Sequence, residues 1–129
     1  MPRTTLSVPA IAAPRGHYSH AVIAQGRTLY VAGQVPIDAG GDVVGTDAAT
    51  QARQVLTNLA AVLEAASATL ADVVKTTVYL TNLDDRAAVG EVRQAHFAGD
   101  PPANTLLVVA GLADPRYLVE IDAIAVLPD

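Results

Sequence analysis

The sequence predicts a single α+β domain in which one sheet carries two helices. Three observations predict this fold class: apolar runs of strand length, two segments with helical spacing, and Gly- and Pro-containing loops between them. Their order is a hairpin, then helix, strand, helix, strand and strand, which is typical of an α+β sheet. At 129 residues without Cys, the chain fits one domain over positions 1–129 whose core does not depend on disulfides.

The first two predicted strands are short and rich in β-branched and aliphatic residues. Runs 21–24 and 28–32 flank Gln25-Gly26-Arg27, which predicts a hairpin with Gly26 in its turn. After a loop at 36–42, Thr46 or Asp47 can cap a helix. The apolar residues of this helix follow helical spacing: Ala52, Val55, Leu56, Leu59, Val62, Leu63 and Ala66.

The middle of the chain predicts a strand followed by a second helix. Residues 73–80 are rich in Val and Thr, as strands are. Asn82, with Asp85 three residues later, resembles a capping box that opens the helix. The apolar residues of this helix are Val89, Val92 and Phe97. Both helices can cover one face of the sheet, so the other face is expected to need a partner.

Two final strands are predicted at 105–110 and 117–127, after a stop at 99–102. Glu120 and Asp122 lie two apart in the last strand, so they point to the same side, roughly 7 Å from one another. A partly buried carboxylate has its pKa moved towards a value useful for proton transfer, which makes Glu120 a candidate acid or base. The alternative is an edge strand with solvent-facing acids, which composition alone favours.

Two other positions have both a functional and a structural interpretation. Gly33 ends a predicted strand, where a glycine lets a ligand approach the backbone amide or simply marks a bulge. Tyr18 lies in the polar stretch His17–His20, which can orient a substrate or satisfy a turn. His96 lies near the end of the second helix, where a cation favours the helix dipole, so its predicted role is structural.

Composition and charge exclude several classes of function. The net charge is −5, and the 8 basic residues are scattered, which excludes an electrostatic footprint for nucleic acid. No apolar run is long enough to span a membrane. The first 13 residues resemble a secretion signal only faintly, because the apolar core is short and contains Pro9, so we expect a cytoplasmic protein.

The sequence also predicts no metal and no cofactor, but it does predict a protein partner. The three His have no close spacing, and neither a metal-binding motif nor a phosphate-binding glycine pattern is present. Half of the residues, 51%, are hydrophobic and only 16% are charged, which is more apolar than an average domain of this size. Part of this apolar surplus is expected to contact another subunit.

Six blocks of sequence, taken together, resemble the reactive intermediate deaminase family, also called RidA or YjgF, over essentially the whole chain. The blocks are GHYSHA at 16–21, VAGQVPID at 31–38, QARQVLTNL at 51–59, DVVKTTVYL at 72–80, PPA at 101–103 and VEIDAIAV at 119–126. This resemblance implies a chorismate-mutase-like mixed sheet backed by two helices, assembled as a homotrimer with clefts between subunits. It also implies hydrolysis of small enamines or imines, such as 2-aminoacrylate, to a 2-keto acid and ammonia without a cofactor.

The resemblance assigns roles to individual residues of this chain. Tyr18 matches the family's tyrosine, Gly33 its backbone-binding glycine and Glu120 its water-activating glutamate. The arginine that grips the substrate carboxylate is replaced by Asn104, which with Thr105 is expected at the mouth of a strand after a Pro-rich turn.

Four further positions depart from the family pattern, which are His17, Arg86, Gly90 and Leu106. Because a neutral amide does not replace a bidentate guanidinium, the predicted substrate differs from 2-aminoacrylate and is larger or uncharged. Arg86 or Arg116 is a candidate to reach the cleft and supply the missing charge. The alternative function is a trimer that binds a small metabolite or regulates without turnover, while ribonuclease activity has little support from an acidic chain.

Overall fold

A computed structural model describes residues 3–128. The strands are β1 (Arg3–Thr5), β2 (Val22–Ala24), β3 (Thr28–Gln34), β4 (Val73–Leu80), β5 (Ala103–Val108) and β6 (Val119–Val126). The helices are α1 (Ala48–Ala65) and α2 (Arg86–His96), each next to a single 3-10 turn, at Leu70–Asp72 and Leu83–Asp85. The predicted α+β class is confirmed, and the bounds of β4 agree with the prediction.

The main sheet is mixed and has the strand order β3-β6-β4-β5. Only the β4–β5 pair is parallel, and α2 makes the crossover between those two strands. The central strands β4 and β6 alternate buried and partly exposed residues, because one face packs against the helices. The core between sheet and helices is apolar and includes Leu56, Leu59, Leu63, Val78, Leu80, Val89, Val119 and Ile121.

The hairpin predicted around Gly26 is wrong. β2 pairs with β1, with Ile23 opposite Thr4, whereas β3 pairs with β6. Gly26 adopts φ +140°, and the Leu127 amide donates to the carbonyl of Arg27 at 2.8 Å, which ties the start of β3 to the end of β6. A three-residue strand gains its partner from long-range contacts, and local turn residues do not report those contacts.

The two helices begin in different ways. Asp47 caps α1 as predicted, and its carboxylate accepts a hydrogen bond from the Thr50 amide at 2.9 Å. The capping box predicted for Asn82 and Asp85 is wrong, because Asn82 instead accepts from the Asp84 amide at 2.9 Å and opens a 3-10 turn. Asp85 directly precedes α2 and makes no side-chain cap hydrogen bond.

Two amide side chains of α1 hold the loops at the end of the sheet. Gln51 is 1% exposed and donates to the carbonyls of Gly45 and Arg116 while it accepts from the Leu118 amide at 2.7 Å. Asn58 donates to the carbonyls of Val35 and Ile37, at 3.0 and 2.8 Å. The loop that follows Gly33 and the segment that enters β6 are therefore fixed to the same helix.

The two faces of the sheet have different chemistry. Residues directly opposite one another in a ladder share a face, and successive residues alternate. Thr76 and Asn104 are opposite one another and lie on the helix-covered face, whereas Tyr79 and Glu120 lie on the outer face, three positions along β4. Tyr30 is 77% exposed and belongs to the outer face, because it lies opposite Ile124. Within residues 3–128, no helix has the length and apolarity to cross a membrane.

Candidate functional site

Glu120 and Gly33 lie side by side on the outer face of the sheet. The register of β3 against β6 shifts between Val31 and Gln34, so the bulge interpretation of Gly33 is confirmed. A side chain at position 33 would overlap the Glu120 carboxylate, whose Cδ lies 2.8 Å from the place of that Cβ. The glycine therefore makes the room that the Glu120 side chain occupies.

The surroundings of Glu120 favour the protonated form of its carboxyl more than water does. Partial burial raises its pKa, and the nearby Asp122 carboxylate raises it further. Asp122 accepts a hydrogen bond from the Tyr79 hydroxyl at 2.8 Å, and this bond raises the pKa of Tyr79. Glu120 and Asp122 share a face as the sequence predicts, and Tyr79 fixes the second carboxylate beside the first.

Thr105 lies on this outer face and not beside Asn104. Its hydroxyl accepts a hydrogen bond from the Lys75 Nζ at 2.6 Å, and it lies opposite Thr77 of β4. Adjacent residues of a strand point to opposite faces. The prediction that groups Thr105 and Asn104 around one ligand therefore does not describe a single copy of this chain.

The other predicted site residues line one open cleft of about 800 Å³ between α2, β5 and the segment before β2. These predicted residues are Tyr18, Arg86, Asn104 and Leu106. The cleft is also lined by His17 and Gly90, the two further positions that depart from the family pattern. The Ser19 hydroxyl fixes the segment before β2, since it donates to the carbonyl of Pro101 at 2.6 Å.

Asn104 is part of a hydrogen-bonded chain that begins at a buried arginine. The Asn104 Oδ1 accepts from the Thr76 hydroxyl at 2.6 Å, and the Thr76 oxygen accepts from the Arg93 Nη2 at 3.3 Å. Arg93 also donates to the carbonyl of His17 at 3.4 Å. Arg93 lines the cleft and is only 5% exposed, and desolvation lowers its pKa to about 10.

Arg93 was not assigned to the site from the sequence, although the spacing of Arg93 along α2 could have identified it. Position 93 follows Val89 by four residues and precedes Phe97 by four, so it lies on the apolar stripe that turns α2 towards the core. The guanidinium carbon lies 5.8 Å from the centroid of the Phe97 ring. A charged residue within a buried stripe is the signal that identifies it.

Arg86 and Arg116, the two candidates to supply the charge that Asn104 lacks, differ in position. Arg86 lines the cleft near its exposed rim. Arg116 is not among the cleft residues; it forms a salt bridge of 2.8 Å with Asp114 in the loop before β6. Hydrogen bonds from Arg116 lower the pKa of Asp114 to about 2. Arg116 therefore pairs within its own loop in this single copy, and its access to a cleft shared between copies stays a prediction.

The predicted site is therefore split into two groups. The outer-face group contains Gly33, Thr105 and Glu120, and the cleft group contains Tyr18, Arg86, Asn104 and Leu106. Asn104 and Glu120 lie on opposite faces of the sheet, so a single copy does not present both groups to one small molecule.

Other clusters of polar side chains do not add to these two groups. A cleft of about 870 Å³ near the ends of both helices contains none of the predicted site residues. Between Arg3 and Pro128, no three His, Cys, Asp or Glu side chains are close enough together to hold a metal ion.

Comparisons with other proteins all identify the same family. The family described as endoribonuclease L-PSP matches residues 9–127. A RutC family protein of Pyrococcus horikoshii is 45% identical over 113 residues, covering 87% of this chain and 88% of its own. The 2-iminobutanoate/2-iminopropanoate deaminase of Rattus norvegicus is 39% identical over 125 residues, covering 96% of this chain and 90% of its own.

A solved structure agrees with the fold as well. The Rid family protein YyfB of Yersinia pestis superposes with a TM-score of 0.91 and is 39% identical in sequence. The match covers 98% of this chain and 100% of the YyfB chain. Two helices packed on a mixed sheet are therefore the architecture of the family.

Proposed function

Because this chain belongs to the endoribonuclease L-PSP family, also called RidA or YjgF, we propose that it hydrolyses a small imine or enamine to a carbonyl compound and ammonia. The observation that carries the proposal is Glu120, a half-buried carboxylate with a raised pKa beside the space that Gly33 leaves open. The imine deaminase activity named for the rat relative supports the reaction class.

Glu120 acts first as a base and then as an acid. The carboxylate takes a proton from water while the water oxygen forms a bond to the C=N carbon, and the nitrogen takes up a proton from solvent. In the resulting carbinolamine, Glu120 gives its proton to the nitrogen, the C–N bond breaks with its electron pair leaving on ammonia, and the hydroxyl proton passes to solvent as the carbonyl forms. Tyr18 and the Gly33 amide orient the substrate. Addition of water and loss of ammonia involve no net oxidation or reduction, so the reaction needs no redox cofactor.

The catalytic unit is a homotrimer in which the cleft of one copy faces the outer-face group of the next. Its support is the separation of Glu120 and Asn104 onto opposite faces, together with exposed apolar side chains such as Tyr30 and Leu107, which are 77% and 44% exposed. Sedimentation is expected to give three times the 13.3 kDa chain mass. Leu107→Asp on the outer face should weaken this assembly, and Ala61→Asp on the exposed side of α1 serves as the control.

The substrate differs from 2-aminoacrylate because the residues that line the cleft depart from the family pattern. Asn104 offers a neutral amide, Leu106 adds an apolar side chain, and a side chain at Gly90 would meet nothing within 4 Å. Space beside Gly90 admits a substrate with a longer side chain than that of 2-aminoacrylate.

Glu120→Gln tests the catalytic proposal. The substitution removes the ionisable group and keeps its shape, so ammonia release from imines of several 2-oxo acids is expected to fall about a hundredfold or more. Glu64→Gln is the matched control, because Glu64 is an exposed carboxylate on α1 that is not among the cleft residues. An unchanged rate in Glu120→Gln would remove Glu120 from the mechanism.

The second candidate function is a trimer that binds a small metabolite without turnover. The observation that favours it is Asn104 in place of a charged anchor. A wild-type protein that binds 2-oxo acids, yet releases no ammonia from any imine in the panel, would establish this alternative.

A further inference from the structure

We propose that Arg93 is the anion anchor of the cleft and that the ligand is consequently a carboxylate, held by this arginine together with Asn104. The inference rests on the proposed function for the identity of the reaction, and it adds the residue of this chain that holds the carboxylate of the substrate. The anchor comes from α2, one element away from the strand position where Asn104 stands.

The first argument is the cost of the buried charge. Arg93 is 5% exposed, and its pKa of about 10 leaves it cationic at neutral pH. Within residues 3–128, the one salt bridge joins Arg116 and Asp114, so no described acidic side chain pairs with Arg93. The Arg93 Nε is buried without a hydrogen-bond partner. A buried cation without a counterion destabilises a fold, and a bound anion removes that cost.

The second argument is the geometry around Asn104. The Arg93 Nη2 and the Asn104 Oδ1 are no more than about 6 Å apart, since both contact the Thr76 oxygen, at 3.3 and 2.6 Å. The Thr76 hydroxyl donates to the Asn104 Oδ1, which leaves the Asn104 Nδ2 with two N–H groups to donate. A carboxylate in this cleft can therefore accept from an amide and a guanidinium that are already positioned relative to one another.

The third argument is that Arg93 attracts an anion more strongly than Arg86 does. Arg86 is exposed at the start of α2, where solvent screens its charge. Arg93 lies in the buried stripe, where a low dielectric strengthens its attraction for an anion. Arg86 therefore contributes to the rim of the cleft, and Arg93 determines which ligands bind.

The experiment measures binding without turnover. Calorimetry compares 2-oxobutanoate with 2-oxobutanamide, which differ in the carboxylate, on wild type, Arg93→Met and Arg86→Met. Wild type should bind the carboxylate about tenfold or more tightly than the amide, the scale of one charge-assisted contact. Arg93→Met should lose this preference, and Arg86→Met should keep it. Arg93→Lys, which retains the charge but not the planar fork, should keep part of it.

Folding measurements separate this role from a structural one. Arg93→Met should remain folded with an unfolding midpoint equal to or above that of wild type, because a buried uncompensated charge is removed. A lower midpoint with an intact carboxylate preference would overturn the proposal. So would dissociation of the trimer in Arg93→Met, which would mean that the charge pairs with an acid of another copy.

The failure of the proposed function would look different. Glu120→Gln should keep the carboxylate preference while it loses ammonia release. If wild type shows the preference and the loss in Arg93→Met, but no imine is hydrolysed, the anion anchor stands and the hydrolase does not.

Discussion

The carboxylate of Glu120 occupies the space that a side chain at position 33 would need. The bulge in β3 brings the Gly33 backbone to the side chain of its neighbour on β6, and Asn58 holds the following loop through the carbonyls of Val35 and Ile37. The position of the candidate base thus depends on the absence of one Cβ.

Gly33→Ala should displace the Glu120 carboxylate and lower the rate of ammonia release. A displacement of about 1 Å costs on the order of a hundredfold in rate when the group takes part in the reaction. Gly111→Ala is the control, since a Cβ there meets nothing within 4 Å. Steady-state kinetics should show the loss in Gly33→Ala alone; equal rates in both variants would mean that Glu120 is not positioned by this contact.

The rate should fall as the pH is lowered through the raised pKa of Glu120. A base acts only when it is deprotonated, and burial together with Asp122 shifts the protonation of Glu120 to a higher pH than that of an ordinary carboxyl. Asp122→Asn removes the like charge, so the acidic limb of the pH–rate profile should move to lower pH. A shift in the opposite direction would contradict the electrostatic assignment.

The new carboxylate in Asn104→Asp should neutralise the positive charge of Arg93, the proposed anion anchor. The new carboxylate has the shape of the amide and lies within reach of Arg93, so affinity for 2-oxobutanoate should fall about tenfold or more. Pairing with Arg93 lowers the pKa of this Asp. The pair therefore stabilises the fold above the unfolded-state pKa of about 4 and loses that stabilisation as the pH falls.

Denaturant unfolding at neutral and acidic pH, together with calorimetry, measures both effects of Asn104→Asp. Unaltered 2-oxobutanoate binding in this variant would separate Asn104 from the anion site.

Gln51→Leu should destabilise the fold by about 2 kcal/mol or more, because three backbone groups lose their partner at once. Those groups are the carbonyls of Gly45 and Arg116 and the amide of Leu118. Gln54→Leu, which removes one side-chain hydrogen bond to Asn58, is the control and should cost less. Denaturant titration measures the difference; equal costs would mean that solvent satisfies the three groups in the variant.

Local spacing in the sequence predicts the elements of this fold well. The helix around Leu56 was predictable because its apolar residues follow helical spacing, and the strand from Val73 to Leu80 was predictable because Val and Thr favour strands. The partner of β2 was not predictable, since a turn around Gly26 is compatible with a hairpin and with a chain that leaves one sheet for another.

The site residues were predictable by type but not by place. Whether Glu120 and Asn104 lie on the same face of the sheet depends on the pairing registers of β5, β4 and β6. No local sequence pattern encodes those registers. The separation of Thr105 from Asn104, in contrast, follows from strand alternation alone. Arg93 was within reach of the same reasoning, because its spacing from Val89 and Phe97 places it on the buried stripe.

The opposite orientation of Glu120 and Asn104 makes catalysis a property of pairs of copies. If each active site combines Glu120 from one copy with the Arg93 cleft of another, two impaired variants can complement one another. Glu120→Gln and Arg93→Met chains, unfolded together and refolded as a mixture, should regain part of the activity that each lacks, since some interfaces then join two intact halves. Interallelic complementation of this kind would make the activity of a mixed population depend on how its chains are distributed among the assemblies.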